Sequence, residues 1–570
     1  MGQSSTSTSL LKQPGHKVTH HFNKFCQVRS VTIVVLFFTL VCPPNICPVS
    51  FEKVSSGFHT IQSQRIQATL EFLASKHFRG RGTGSPEADL TVAYLASVFQ
   101  RLGIRPGVQS STSFIQSFDL VQAIPQETSR VEIRAQDSVM LELKMGEDFL
   151  PAPWGPDSAE ITAEAVFAGY GISAPELKYD DYSNLDPRGK IAVLLSKFPG
   201  QSKPNSWDIL SQKDYEDPLE KALQAQKSGA VGVIIVLPTT ESIPALNSLN
   251  FRTAKSFLAA DVGPLKIPAA FVSFTAGEKF IRQVQREVSG LAGNLTEMQK
   301  KIDDQMTSHS FPLSGKISIR TQYERRTSKG QNVIGWIPGN DPNLSGEFVL
   351  IGAHHDHLGV GENQEIFFGA DDDASGTTGL LELAAAFQAG PLKPRRSILL
   401  AAWGAEELGL LGSKYYSQNP LFPLSKTVAM LQMDMIGRNE ERLADPGNGI
   451  EEEKPDQNSN TVSIAGTVFS RDLKTLIEAS NGKLNLKLRY RYDGGQENLL
   501  KRSDHWLFLK AGIPSVFFFT GFHPDYHRST DTADKINYSK MEKILRLLYL
   551  STWELADNQQ KPRFVREVAR

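Results

Sequence analysis

The chain has three cysteines in 570 residues, Cys26, Cys42 and Cys47, and none after Phe51. A body without thiols holds no internal disulfide, no cysteine nucleophile and no thiolate-ligated metal. An excess of charge is also missing. Basic and acidic residues number 61 and 62, a net charge of −1, so charge favours neither nucleic acid nor an anionic surface as partner. A bilayer-length apolar run is lacking as well, since Val31–Val41 offers about a dozen residues against the roughly 20 needed to cross. Arg79-Gly80-Arg81-Gly82-Thr83-Gly84-Ser85 carries three glycines but neither the spacing nor the lysine of a phosphate-binding loop, and reads as a tight backbone turn. Chemistry in the body must therefore come from His, Asp, Glu, Ser or Tyr.

What is present begins with a leader. Lys12, Lys17, Lys24 and Arg29, with no acid among them, precede the apolar run Val31–Val41 in the order of a signal peptide. Residues 1–51 are thus expected to direct export, making the protein secreted, periplasmic or cell-surface. An uncleaved signal anchor, which would tether the protein to a membrane, is the alternative. A lipoprotein-like Thr39-Leu40-Val41-Cys42 and a myristoylation-like Met1–Thr6 are too loosely defined to outweigh it. Without the four leader cations the net charge moves from −1 to about −5, which suits a soluble exported body.

The length calls for two or three domains. Residues 57–126 open with two amphipathic helices within Ile61–Gly103, on which Ile66, Leu70 and Leu73, then Val92, Leu95, Phe99 and Leu102, share faces. Residues 127–326 change to short strands, at Val131–Ile133, Val139–Leu143, Glu164–Ala168, Ile191–Leu195 and Val231–Leu237, with one helix at Leu219–Ser228. This is expected to be a β-rich insert with its own core. Residues 327–557 alternate strand, loop and helix. Strands are expected at Asn332–Trp336, Phe348–Ala353, Ser397–Trp403, Val428–Asp434 and Ser515–Thr520, and helices at Ser375–Ala389, Gly409–Asn419, Asp472–Asn481 and Tyr538–Ala556. Such alternation gives an α/β fold, a mixed and largely parallel twisted sheet with helices on both faces. Residues 558–570 form a C-terminal tail.

Polar residues at the exits of parallel strands converge on one edge of the sheet. Here four exits carry metal-type side chains: His354, then Glu406-Glu407, then Asp434, then His527, with Asp372 between the first strand and its helix. Two histidines, two acids and one carboxylate able to bridge make a pair of three-ligand zinc sites sharing a water. Adjacent Glu406 and Glu407 diverge in an extended turn, so one can bind metal while the other acts as general base. Taken singly, a His-x-Asp is a surface turn and a Glu-Glu pair a solvated face. Asp371–Asp373 would likewise be a helix cap. Their joint placement at strand ends argues for a site.

Gly352-Ala353-His354-His355-Asp356, Gly369–Gly376, Ala405–Ser413, Met433-Asp434-Met435, Ser503-Asp504-His505 and Tyr526–Thr532 together resemble the co-catalytic di-zinc aminopeptidase family, which includes bacterial leucyl aminopeptidase, aminopeptidase S and glutamate carboxypeptidase. Within the insert, Phe167–Ile172, Gly189–Val193 and Ala222–Ile235 resemble a protease-associated (PA) domain. The resemblance implies two Zn²⁺ per chain, with Asp372 bridging, His354 and Asp434 completing one site, and Glu407 and His527 the other. It implies Glu406 as general base, Asp356 as the acid orienting His354, and Asp373 as a shaper of the turn, with His355, His357, His505 and His523 outside the ligand set. Expected partners are peptide or protein N-termini, not nucleic acid, and the sequence leaves the oligomeric state open. One departure is Leu500, where family members often carry a tyrosine that stabilises the oxyanion, and Tyr526 is the candidate substitute. The rivals are a carboxypeptidase on the same scaffold, with Arg438, Arg489, Arg491 or Lys501 gripping a terminal carboxylate, and a catalytically silent metal-bearing binding module.

Overall fold

The computed structural model describes residues 51–566 apart from 109, 111, 136–137, 201–214, 240–254, 259–262, 286–293, 362, 444–450 and 495–498. The expected leader lies outside the described residues, and among those described no helix is long and apolar enough to cross a membrane.

The centre of the C-terminal sheet is built from four short apolar strands, Phe348–His354, Ser397–Trp403, Thr427–Met433 and Ser515–Phe519, in which every residue is buried. Burial on both faces is what a covered parallel sheet demands of its sequence. The four run parallel, with Phe348–His354 between Ser397–Trp403 and Thr427–Met433, and Ser515–Phe519 beyond the latter. Antiparallel neighbours close both sides, the end of Ser310–Ile337 against Ser397–Trp403 and Thr461–Ala465 against Ser515–Phe519. Val349, Ile351, Ile398, Leu400 and Phe518 share one core with the helices Gly376–Ala389 and Tyr538–Asp557 and with the N-terminal helices. Their alternate neighbours Leu350, Leu399, Trp403 and Met430 pack with Tyr416 and Phe508 on the other face. Each such side chain contributes about 1.5–3 kcal/mol by burial. A Cβ on Gly379 would fall 2.7 Å from a Leu545 methyl carbon, so glycine is what lets the helix Gly376–Ala389 sit this close to its neighbours.

The insert's sheet runs Ser158–Ala168, Ile191–Leu195, Gly232–Val236 and Ala269–Val272 in parallel, with Phe149–Pro151 antiparallel at the edge and the helix Pro218–Lys227 packed against it. A single 28-residue strand, Ser310–Ile337, joins the two sheets. Its first part pairs with Ser158–Ala168 in the insert, its middle with Ile115–Pro125, and its end enters the C-terminal sheet. The sequence reading placed a strand only at Asn332–Trp336. The stretch upstream, Arg320–Lys329, is dense in polar and charged residues because it lies in a partly solvated ribbon with no apolar face to betray it.

Candidate active site

His354, Glu406, Glu407, Asp434 and His527 each stand at or just beyond a strand exit of the parallel core. His354 ends Phe348–His354, Asp434 follows Thr427–Met433 directly, Glu406 and Glu407 lie three and four residues beyond Trp403, and His527 lies in the loop after Ser515–Phe519. Asp372 sits in the turn before the helix Gly376–Ala389, and its peptide bond to Asp373 is cis.

The structure brings these side chains together around Asp372. Its Oδ1 lies 3.2 Å from His354 Nε2, which is also 3.6 Å from Asp434 Oδ1 and 4.0 Å from Glu406 Oε2. Its Oδ2 lies 3.1 Å from His527 Nε2, which is 3.2 Å from Glu407 Oε2. One carboxylate thus turns its two oxygens toward two separate imidazole and carboxylate groups. His357, expected outside the ligand set, points Nδ1 at Glu407 Oε1 from 2.7 Å and lies 3.8 Å from Asp372 Oδ2.

Buried polar groups hold the loops. Asp373 accepts through Oδ2 from the His354 backbone N–H (3.1 Å) and through Oδ1 from those of Gly376 (2.8 Å) and Met435 (3.2 Å), tying three loops to one carboxylate. Asp531 accepts from the N–H groups of Asp371 and Asp372. Asp356 accepts from the Glu406 N–H at 3.1 Å and from the Thr83 hydroxyl at 2.7 Å. His354 Nδ1 faces the backbone oxygen of Asp356 at 3.1 Å, closer than the Asp356 carboxylate at 3.8 Å. Arg81, fully buried, donates to the carbonyls of Leu73, His355, Phe368 and Gly369, so the turn Arg79–Ser85 clamps the site's loops from behind. Ala405, Met435 and His527, each beside or among the ligand-type residues, are non-glycine residues at φ of 57°, 55° and 56°. Left-handed backbone of this kind persists only where surrounding contacts over-determine it.

The electrostatics show what the site lacks within itself. Burial raises the Glu406 carboxyl well above the ordinary range, with Glu407 and Asp434 adding repulsion and His354 opposing. Burial likewise raises Asp434. Burial works against an ionised Asp372, yet hydrogen bonds and charge from His354, His357 and His527 hold it well below the usual range. Burial also opposes a charged His527, but Glu407 and Asp372 raise it to about 10. Among the described residues Asp372, Glu406 and Asp434 form ion pairs only with imidazoles, never with lysine or arginine. Crowded buried carboxylates of this kind call for a cation.

A pocket opens beside these groups. Asp372, Glu406, Glu407, Asp434 and His527 line one side, and Met435, Leu499, Phe517, Phe519 and Phe522 the apolar side, with Tyr526 and Arg502 at the edge. Leu500 is buried in the adjoining apolar cluster. His355 Nε2 faces the Gln331 carbonyl at 2.9 Å, His505 stacks on Phe517, and His523 lies 3.3 Å from Asp371.

The profile of peptidase family M28 matches residues 332–551, the stretch that carries all six ligand-type residues. Over those residues the chain is similar to peptidase family M28. A PA domain profile matches residues 158–280, within the insert. The leupeptin-inactivating enzyme 1 of Streptomyces exfoliatus is 28% identical over 254 residues, 41% of this chain and 50% of that protein. An aminopeptidase of Pseudomonas aeruginosa is 25% identical over 458 residues, 79% and 69% of the two chains. The chain spans half or less of the length of the first four curated relatives it matches. The aminopeptidase from Aneurinibacillus sp. strain AM-1 shares the fold, with a TM-score of 0.54, 21% identity, and coverage of 90% of this chain and 97% of that one. The M28 unit and the PA domain are thus the two parts joined by the strand Ser310–Ile337.

Proposed function

We propose that the protein is an exported zinc aminopeptidase that removes single residues from peptide and protein N-termini. The observation that carries this reading is the double-facing Asp372, with His354 and Asp434 on one side, Glu407 and His527 on the other, and Glu406 adjacent. Three nitrogen and oxygen donors on each side suit zinc, and the carboxylate excess described above fits two dications better than one. Zinc held by these five residues would polarise the scissile carbonyl and acidify the attacking water.

The chain's own groups do the rest. Glu406, its Oε2 4.0 Å from His354 Nε2, takes the proton from the attacking water as a carboxylate and delivers it to the leaving amine. Tyr526, stacked on His527 with ring centroids 3.9 Å apart, accepts a hydrogen bond from Arg502 at 3.1 Å. That leaves the phenol proton free to donate to the developing oxyanion, in place of the hydroxyl that Leu500 lacks. Met435, Leu499, Phe517 and Phe519 form a wall suited to a large apolar first side chain. His357, bonded to the Glu407 oxygen that does not face His527, orients that carboxylate.

The carboxypeptidase alternative is disfavoured by its own candidates. Arg438 is paired with Asp525, Arg489 and Arg491 with Glu453, and Lys501 with Glu216. The test is a panel of aminoacyl-p-nitroanilides beside N-blocked peptides, before and after chelation, with Glu406→Ala alongside. Release from free N-termini only, lost on chelation, restored by zinc and absent in the variant, supports the reading. Cleavage at the carboxyl end, or silence with zinc bound, sinks it. Export is tested separately, by sequencing the N-terminus of the protein recovered outside the cytoplasm.

A further inference from the structure

The PA domain meets the M28 unit next to pocket-lining residues at two places. Glu216, in the PA domain, accepts from Lys501 of the M28 unit at 2.6 Å through one oxygen, while its other oxygen lies 3.1 Å from Lys197 of its own domain. Lys501 closes the short turn Leu499–Lys501, whose first residue lines the apolar side of the pocket and which Arg502, on the pocket edge, follows directly. Elsewhere, Leu258 of the PA domain shares a buried cluster with Ala405, the residue before Glu406, and with Phe118, Leu120 and Leu411. The insert therefore bears on both the general-base loop and the pocket wall.

We propose that Glu216 is a positioning residue for substrate selectivity: by holding Lys501 it fixes Leu499 in the wall against which a large apolar first side chain packs. This rests on the aminopeptidase reading. The pair lies between two partly covered side chains, with Glu216 about one-fifth exposed and Lys501 the same, so it is shielded enough to hold geometry and open enough to be broken without unfolding either core. Burial raises the Glu216 carboxyl, but the two lysines outweigh this and leave it lowered, so the pair stays ionised at neutral pH. A wall released at one end loses contact with long side chains first. An alanine or glycine, which does not reach it, is unaffected.

The experiment compares wild type with Glu216→Gln, Lys501→Met and the double variant, each loaded with zinc and each confirmed by an unchanged thermal midpoint. Kinetics on leucyl- and alanyl-p-nitroanilide are read beside calorimetric affinities for leucine hydroxamate and glycine hydroxamate. The expected result is a rise in KM for the leucyl substrate of about tenfold, the size of a weakened apolar subsite, with kcat within twofold and the alanyl substrate unchanged. The double variant is expected to match the single ones, because they remove the same contact, and Glu216→Asp to recover part of the loss. Equal loss on both substrates, additive effects of the two substitutions, or no change would overturn the proposal. A wild type silent on every anilide refutes the aminopeptidase reading alone, because the ratio of hydroxamate affinities still reports whether Glu216 sets the wall.

Discussion

Arg81→Met removes a guanidinium that ties the N-terminal turn to the back of the site. Its four acceptors are the carbonyls of Leu73, His355, Phe368 and Gly369, at 2.8–3.0 Å, and the side chain has no solvent exposure. Methionine fills most of the volume but donates nothing, so these carbonyls lose a charged donor in a place water does not reach. At about 1–3 kcal/mol per stranded group, discounted for relaxation of the loops, the net loss is on the order of 4 kcal/mol. Burial disfavours the charged guanidinium, and Asp373, Asp372, Asp531 and Asp356 nearby offset part of that cost, so the net loss stays on this order. For a cooperative unit of roughly 300 residues this lowers the thermal midpoint by about 6 °C. Scanning calorimetry of the zinc-loaded and chelated forms measures it, and the drop is expected to be larger after chelation, when no dication offsets the carboxylates. A midpoint within 1 °C of wild type in both forms would refute the argument that Arg81 braces the site.

Three further predictions follow from other parts of the molecule. Tyr526→Phe is expected to lower kcat about 100-fold with KM little changed, as loss of an oxyanion donor does, and a kcat within threefold of wild type would remove Tyr526 from the mechanism. Lys221 in the PA domain is fully buried, donating to the carbonyls of Leu195 and Lys197, and burial lowers its ammonium to about 7. Because the unfolded chain binds this proton up to about pH 10.5, the folded state gains stability as pH rises from about 7 to 10, by a few kcal/mol at most. Lys221→Met is expected to flatten that slope in pH-dependent thermal melts, and an unchanged slope contradicts it. Finally, Thr83→Val, which leaves Asp356 without its 2.7 Å donor, is expected to reduce kcat severalfold through the Glu406 loop while zinc content stays constant by elemental analysis.

The parallel core was legible because its strands are short, apolar and separated by helices of regular period. Ile191–Leu195 and Ser397–Trp403 fall where the sequence reading put them, and Phe348–His354 differs by one residue at its end. The strand-exit rule then placed His354, Asp372, Glu406, Glu407, Asp434 and His527 on one edge, and the structure gathers them there. What was not legible depends on distant partners. Arg81 sits in a glycine-rich turn whose sequence signals only backbone conformation, while its four acceptors come from segments up to 288 residues away. His357 became a neighbour of Glu407 through folding of its loop, not through a motif. The Glu216–Lys501 pair spans 285 residues and two domains, and neither partner stands in a pattern. The Ser310–Ile337 strand escaped because it has a solvated middle, where hydrogen bonding to Ile115–Pro125 sustains the strand without a hydrophobic stripe.

The measurement closest to the central claim is a zinc titration of the metal-free protein, following bound metal by calorimetry and leucyl-p-nitroanilide hydrolysis in the same samples, for wild type and Asp372→Asn. The account predicts two zinc ions per wild-type chain, activity that reaches its plateau only as the second binds, and at most one tightly held ion with activity lost in the variant. A wild type saturating at one ion with full activity, or an Asp372→Asn protein that binds two and hydrolyses the substrate normally, would contradict the shared-carboxylate centre.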